Sequence, residues 1–217
     1  MSCTRSTSRS GEHDVTLALP APANAEMIPL DDVRAPVLTA LPSGRVLLIR
    51  PVARADAGAL QAYFRALTPR SRYDRLAGAG SELPAGELAR TLAQGEGGRF
   101  ALLVETVVDG YRSLIAEART HLDAARRSFE IALSVHDAWQ RQGVGSALLA
   151  ELEQRALADD ADVLVAEVLR TNDRSQGFLR RHGFHAEGIP GDWRMLRIVK
   201  PLEDRLPDAP RPLVRWI

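Results

Sequence analysis

FEIALSVHDAWQRQGVGSALLAELEQRA, Phe129 to Ala156, is the stretch that decides the fold. Its first part alternates. Phe129, Ile131, Leu133 and Val135 fall on one face of an extended strand, and Glu130, Ala132 and Ser134 fall on the other. The period then changes. A short loop leads to Gln140-Arg141-Gln142-Gly143-Val144-Gly145, and a helix is expected from about Gly143 to Ala158. Its apolar stripe is Val144, Leu148, Leu149, Leu152, Ala156 and Leu157. The backbone amides of a first helical turn have no partner inside the helix, and the helix dipole adds partial positive charge there. Gly143 and Gly145 let a bulky anion approach the backbone. The expected ligand is a phosphate or pyrophosphate. Two glycines before a helix also fit a tight loop with no ligand. They are too few for a dinucleotide fingerprint, and the Lys-Ser ending of the other phosphate loop is absent.

Upstream, RVLLIRPV (Arg45 to Val52) reads as a strand. Asp56 can cap a helix carrying Leu60, Tyr63, Phe64 and Leu67 at helical spacing. PRSRYDRLAG continues as a second helix with Pro69 in its first turn, and a third covers Pro84 to about Leu92. The glycine-rich residues 95–98 close this helical part. FALLVETVV (Phe100 to Val108), the Asp109-Gly110 turn and RSLIAEART (Arg112 to Thr120) read as a hairpin. Downstream, DVLVAEVL (Asp162 to Leu169) is a buried strand, RSQGFLRRH is a short helix stopped at Gly183, and DWRMLRIVKPL is the last strand. The order is that of a mixed α/β domain around one sheet. Residues 1–42 read as a loosely ordered extension, because prolines recur at Pro20, Pro22, Pro29, Pro36 and Pro42, although Val37 to Leu41 can add a short edge strand. Residues 43–200 form the domain and 201–217 a proline-rich tail.

Composition narrows the function classes. The 217 residues are 45% hydrophobic and 26% charged, with a formal net charge of +0. No general basic field draws the chain to nucleic acid or anionic lipid. Cys3 is the sole cysteine, so no disulfide forms within the chain. No apolar run approaches the length of a membrane span, and the Ser-, Thr- and Arg-rich start lacks the apolar segment of a secretory signal. A cytoplasmic protein without nucleic-acid or membrane partners is expected, and self-association into a homodimer is left open.

The stretch from Gln140 to Gly145 resembles motif A of the GCN5-related N-acetyltransferases, the GNAT superfamily, with the pattern Q/R-x-x-G-x-G/A met by Gln140, Gly143 and Gly145. Thr171 to Phe184, TNDRSQGFLRRHGF, is similar to the family's second signature through Asn172, Ser175, Gly183 and Phe184. The resemblance runs from about Arg45 to Lys200. A narrower one, to the bacterial protein-lysine acetyltransferase (Pat-like) branch, rests on Leu67, Thr68, Pro69, Ser71, Tyr73 and Arg75, and on Glu130, Ala132 and Val135 of the strand. The resemblance implies a single GNAT-type domain, a mixed central sheet flanked by helices with an N-terminal extension.

It further implies acetyl-CoA as co-substrate, no metal, and direct attack by an amine in a ternary complex. The acceptor amine is a protein lysine or a small molecule. Backbone of Leu133 and Val135 would contact the pantetheine and thioester. Gln140, Arg141, Gln142, Gly143, Val144, Gly145 and Ser146 would hold the pyrophosphate, with Asn172, Ser175 and Phe178 beside them. An amine of lysine type, with a reference pKa of about 10.4, must lose a proton. Glu130 is the candidate base, because a charge within an apolar strand is costly unless paired or useful. A structural glutamate bonded to an arginine would look the same, and Glu117 and Glu167 on neighbouring strands are rivals. Many relatives carry a tyrosine general acid seven residues after the signature asparagine; here that position is Leu179. Leu179 favours a catalytically silent CoA-binding module, whereas Glu130 favours an enzyme. Trp139 is expected to pack beside the loop. His182 and His185 flank a helix stop and do not share a face, which argues against a metal pair.

Overall fold

A computed structural model describes residues 35–189 and 191–202. One eight-stranded sheet organises them, in the order β1-β2-β3-β4-β5-β6-β8-β7. The strands are β1 (Val37–Ala40), β2 (Val46–Pro51), β3 (Arg99–Val108), β4 (Tyr111–Asp123), β5 (Ser128–Val135), β6 (Val163–Leu169), β7 (His185–Ile189) and β8 (Asp192–Pro201). The helices are α1 (Ala57–Ala66), α2 (Pro69–Leu76), α3 (Ala85–Leu92), α4 (Val144–Ala158) and α5 (Asp173–Arg181). The readings of residues 1–42 as an extension and of 201–217 as a tail fall largely outside the described residues. Among the described residues no helix is long and apolar enough to cross a membrane.

All neighbouring strands are antiparallel except β5 and β6. A parallel pair needs a crossover, and α4 supplies it. Val144, Leu148, Leu149, Leu152 and Ala156 are fully buried on one face of the sheet with Phe129, Ile131, Leu164, Ala166 and Leu179. Leu157 is only half-buried, and its neighbour Arg155 is buried instead, donating to Glu151 and to the Ala35 carbonyl. The opposite face carries a second cluster, in which Leu60, Tyr63, Phe64 and Leu67 of the α1 region cover Ala101 and Leu103 of β3.

Two elements differ from the sequence reading. HAEGI pairs along β8 as β7, but it is exposed over most of its length and so shows no apolar alternation. Asp56 stands before α1 without capping it. Its carboxylate instead accepts from the Ala53 amide and grips Arg50 at 2.8 and 2.9 Å.

Pairing between β5 and β6 stops early. Ser128, Phe129 and Glu130 pair with Val163, Leu164 and Val165. Beyond that rung both strands continue, to Val135 and Leu169, without pairing with each other. The sheet therefore opens between them, and the loop into α4 leaves from the open side.

Candidate active site

At the head of α4, the first backbone bond of the helix runs from the Ala147 amide to the Gly143 carbonyl, 2.9 Å. The amides of Val144, Gly145 and Ser146 thus have no intrahelical acceptor. Gly143 has φ +91°, a conformation that side chains rarely adopt. Gly145 is small for a different reason: a Cβ there would stand 3.4 Å from the Phe178 ring. The Val144 side chain is fully buried, so only its backbone faces the cradle.

Several residues assigned to the cofactor by sequence hold the cradle in shape. Gln140 donates to the Val135 carbonyl at 2.9 Å and accepts from Arg174. Gln142 donates to the Ala138 carbonyl at 2.7 Å. Asn172 is buried and accepts from the Ser175 amide at 3.1 Å, which caps α5. Ser146 shares a hydrogen bond of 3.0 Å with His182 Nε2, and the His182 ring lies 4.5 Å from that of Phe178. Arg141 is exposed, with φ +61°. Trp139 packs against the core cluster, with Arg45 4.7 Å over its ring.

Leu133 and Val135 line the opening. The His136 amide donates to the Ile115 carbonyl, on the β4 side. Alternation along the strand turns the amides of Leu133 and Val135 the other way, into the gap. A gap edged with amides, leading to a helix start with open amides, fits a long ligand that ends in a pyrophosphate.

Asp137 escaped the sequence reading. It accepts from the Thr68 amide (2.9 Å), the Thr68 hydroxyl (3.0 Å) and the Ser71 hydroxyl (2.7 Å). Burial alone would raise its carboxyl, but these hydrogen bonds and Arg174 outweigh burial and hold it below the usual range. The contact ties the start of α2 to the loop that leads into α4. The Thr68-Pro69-x-Ser71 motif was visible in the sequence; its partner, 66 residues away from Ser71, was not.

The polar face of β5 forms the other half. Glu130, Ala132 and Ser134 lie opposite His121, Arg119 and Glu117 of β4. Glu130, Ala132, Arg119 and His121 line a cavity of about 380 Å³, together with Glu87, Arg90 and Glu167. Among the described residues Glu130 is not bonded to an arginine. Its side chain is 56% exposed, and its recorded ionic neighbour is His121, Nδ1 at 3.5 Å. The cost of a buried charge therefore does not explain Glu130; an accessible carboxylate on the cavity wall does.

Glu117 is the reverse. It is buried and ion-paired with Arg75. Burial pushes its carboxyl up, yet the charge and hydrogen bond of Arg75 prevail and leave it lowered, which makes it a weak base. Glu167 is exposed on β6 and faces the same cavity. Tyr63 donates to or accepts from Ser134 at 2.8 Å. Burial, then the Glu117 charge, push its hydroxyl far above the ordinary value, so it stays neutral. Leu179 is buried in the core. Among the described residues no group of three or more His, Cys, Asp or Glu could hold a metal ion.

The sequence profile of the acetyltransferase (GNAT) family matches residues 65–184, more than half of the chain. No curated protein sequence matches. Among solved structures, the GNAT domain of S. lividans PAT is similar with a TM-score of 0.69 and 23% identity, over 77% of this chain and 97% of that domain. The structure of yncA from Salmonella typhimurium with its cofactor acetyl-CoA is similar with a TM-score of 0.55 and 23% identity, over 75% and 98%. A cAMP-binding acyltransferase from Mycobacterium smegmatis gives a TM-score of 0.52 and 20% identity, covering 82% of this chain but 51% of that one. The chain thus spans about half the length of the mycobacterial protein.

Proposed function

The chain belongs to the acetyltransferase (GNAT) family and is an acetyl-CoA-dependent acyltransferase; on that premise we propose that residues 43–200 carry an acetyl group from acetyl-CoA to a primary amine, with Glu130 as the base. The observation that carries this reading is the early end of β5–β6 pairing at Glu130. A gap edged with amides that opens from the rung of an accessible carboxylate supports a cofactor channel next to a base.

In this reading the amides of residues 141–146 hold the pyrophosphate, and those of Leu133 and Val135 face the pantetheine arm and thioester. Gly145, Ser146, Ser175 and Phe178 shape the wall, and Asn172 and Gln140 keep that wall in place. The amine nitrogen attacks the thioester carbonyl carbon, the C–S bond breaks, and the sulfur leaves as thiolate. Glu130 takes the proton from the attacking nitrogen. Water protonates the thiolate, since Leu179 has no proton to give. The acceptor follows the Pat-like resemblance to a lysine-type amine, with a small-molecule amine as the alternative.

A second reading, a silent CoA-binding module, draws on Leu179 alone. The test is acetyl-CoA consumption against a panel of lysine peptides and small amines. Turnover of at least one amine supports the enzyme. Tight acetyl-CoA binding with no turnover of any amine points to the silent module.

A further inference from the structure

The walls of the acceptor cavity are sorted by charge. On one side, Arg119 of β4 and Arg90 of α3 both pair with Glu87, at 2.7 Å for Arg119. Behind them Arg75 pairs with Glu117. Three guanidinium groups thus share two carboxylates, with Arg75 and Glu117 buried, Arg119 and Glu87 about a quarter exposed, and Arg90 open to solvent. The Arg119 Nε is buried and has no hydrogen-bond partner among the described residues. Burial and the like charge of Arg75 push the Arg119 guanidinium below its usual value, as expected of a cation short of counter-charge. Arg99 of β3 adds another exposed guanidinium on that side. On the other side stand Glu130 and Glu167, with Ala132 leaving the floor open between them and Arg119.

A cavity split in this way matches a ligand split in this way. We infer that the acceptor carries a carboxylate a few bonds from its amine, the amine lying at Glu130 and the carboxylate at Arg119. This rests on the amine-acetylation reading and adds the chemistry that selects the acceptor. The cavity, about 380 Å³, is at the small end of ligand sites, so the carboxylate belongs to a compact amino acid. The bidentate fork of arginine suits a carboxylate, and an incoming anion adds counter-charge on a wall where three guanidinium groups share two carboxylates.

The test uses the full chain, acetyl-CoA and ω-amino acids H₂N–(CH₂)n–COO⁻ of increasing chain length, each beside its carboxamide. A further pair of lysine peptides differs only in aspartate or asparagine next to the lysine. The expected result is that at least one free acid exceeds its amide about tenfold or more in kcat/KM, the scale of one charge-assisted contact, and that Arg119→Gln collapses that ratio towards one. Because Arg119 also steadies Glu87, the exposed Arg99→Gln is the second variant, with the ratio reduced. Acids and amides turned over equally would overturn the inference while leaving amine acetylation intact. A preference seen only in the aspartate peptide would overturn the compact acceptor. A ratio unmoved in both variants would overturn the role of the arginines, and no turnover of any amine would overturn both readings together.

Discussion

The proposed cofactor half and the proposed acceptor half of the site are made in opposite ways. The cofactor half is mostly backbone: open amides at Val144, Gly145 and Ser146, and those of Leu133 and Val135 along the gap. Nearly all of it lies within one strand–loop–helix unit. The acceptor half is mostly side chain, with Glu87 from α3, Arg119 from β4, Glu130 from β5 and Glu167 from β6 brought together by the sheet. A backbone site tolerates many side chains but few changes of shape. A side-chain site inverts this, so substitutions should separate binding of the cofactor from chemistry on the acceptor.

The largest separation is expected at Glu130. Glu130→Gln keeps volume and loses basicity, so turnover should fall about 10²- to 10⁴-fold, or about 3–5 kcal/mol in barrier. Steady-state assays across pH check it: the loss should shrink at high pH, where the amine is already deprotonated. A variant that turns over like wild type would move the base to Glu167.

Glu117 sharpens the contrast between two carboxylates four rungs apart along the β4–β5 pairing. Glu117→Leu leaves Arg75 buried and unpaired, at a cost of about 3–5 kcal/mol, readable by denaturant unfolding. The pH dependence follows from the lowered carboxyl. The pair's contribution is full above the ordinary carboxylate value and is lost as pH falls through the lower folded value. The stability gap between wild type and variant should therefore narrow in acid.

Leu179 tests whether its position belongs to packing or to chemistry. It is 5% exposed in the core, and Leu179→Ala should cost about 2–5 kcal/mol of stability. Turnover per folded molecule should not show the roughly hundredfold drop of a lost general acid; thermal melts and active-site-normalised rates together decide.

The smallest effect is at the cofactor loop. Ser146 is exposed at the head of α4, where a carboxylate is favourable to the helix itself, so Ser146→Glu should fold. Its charge would compete with the pyrophosphate and weaken acetyl-CoA about tenfold, roughly 1.4 kcal/mol, as measured by calorimetry.

The two halves also differed in how far the sequence could be read. Periodicity located β5 and α4, and the glycines between them marked the loop, because all three signals are local. Alternation placed Glu130 with Ala132 and Ser134 on one face. It could not tell that this face stays open at Glu130, since that depends on where α1 and α3 end their cover. The pairings Arg75–Glu117, Arg119–Glu87 and Thr68–Asp137 join elements 42, 32 and 69 residues apart, and no local pattern predicts them. Asn172 and Gln140 were read as cofactor contacts from their place in a motif, whereas their side-chain bonds are a helix cap and a loop strut.

Calorimetric titration of acetyl-CoA into wild type, Glu130→Gln and Ser146→Glu, with turnover measured on the same samples, tests the separation of the two halves most directly. The account predicts unchanged affinity with collapsed turnover in Glu130→Gln, and weakened affinity in Ser146→Glu with turnover recovering at saturating acetyl-CoA. Equal loss of affinity in both variants, or full affinity in Ser146→Glu, would contradict it.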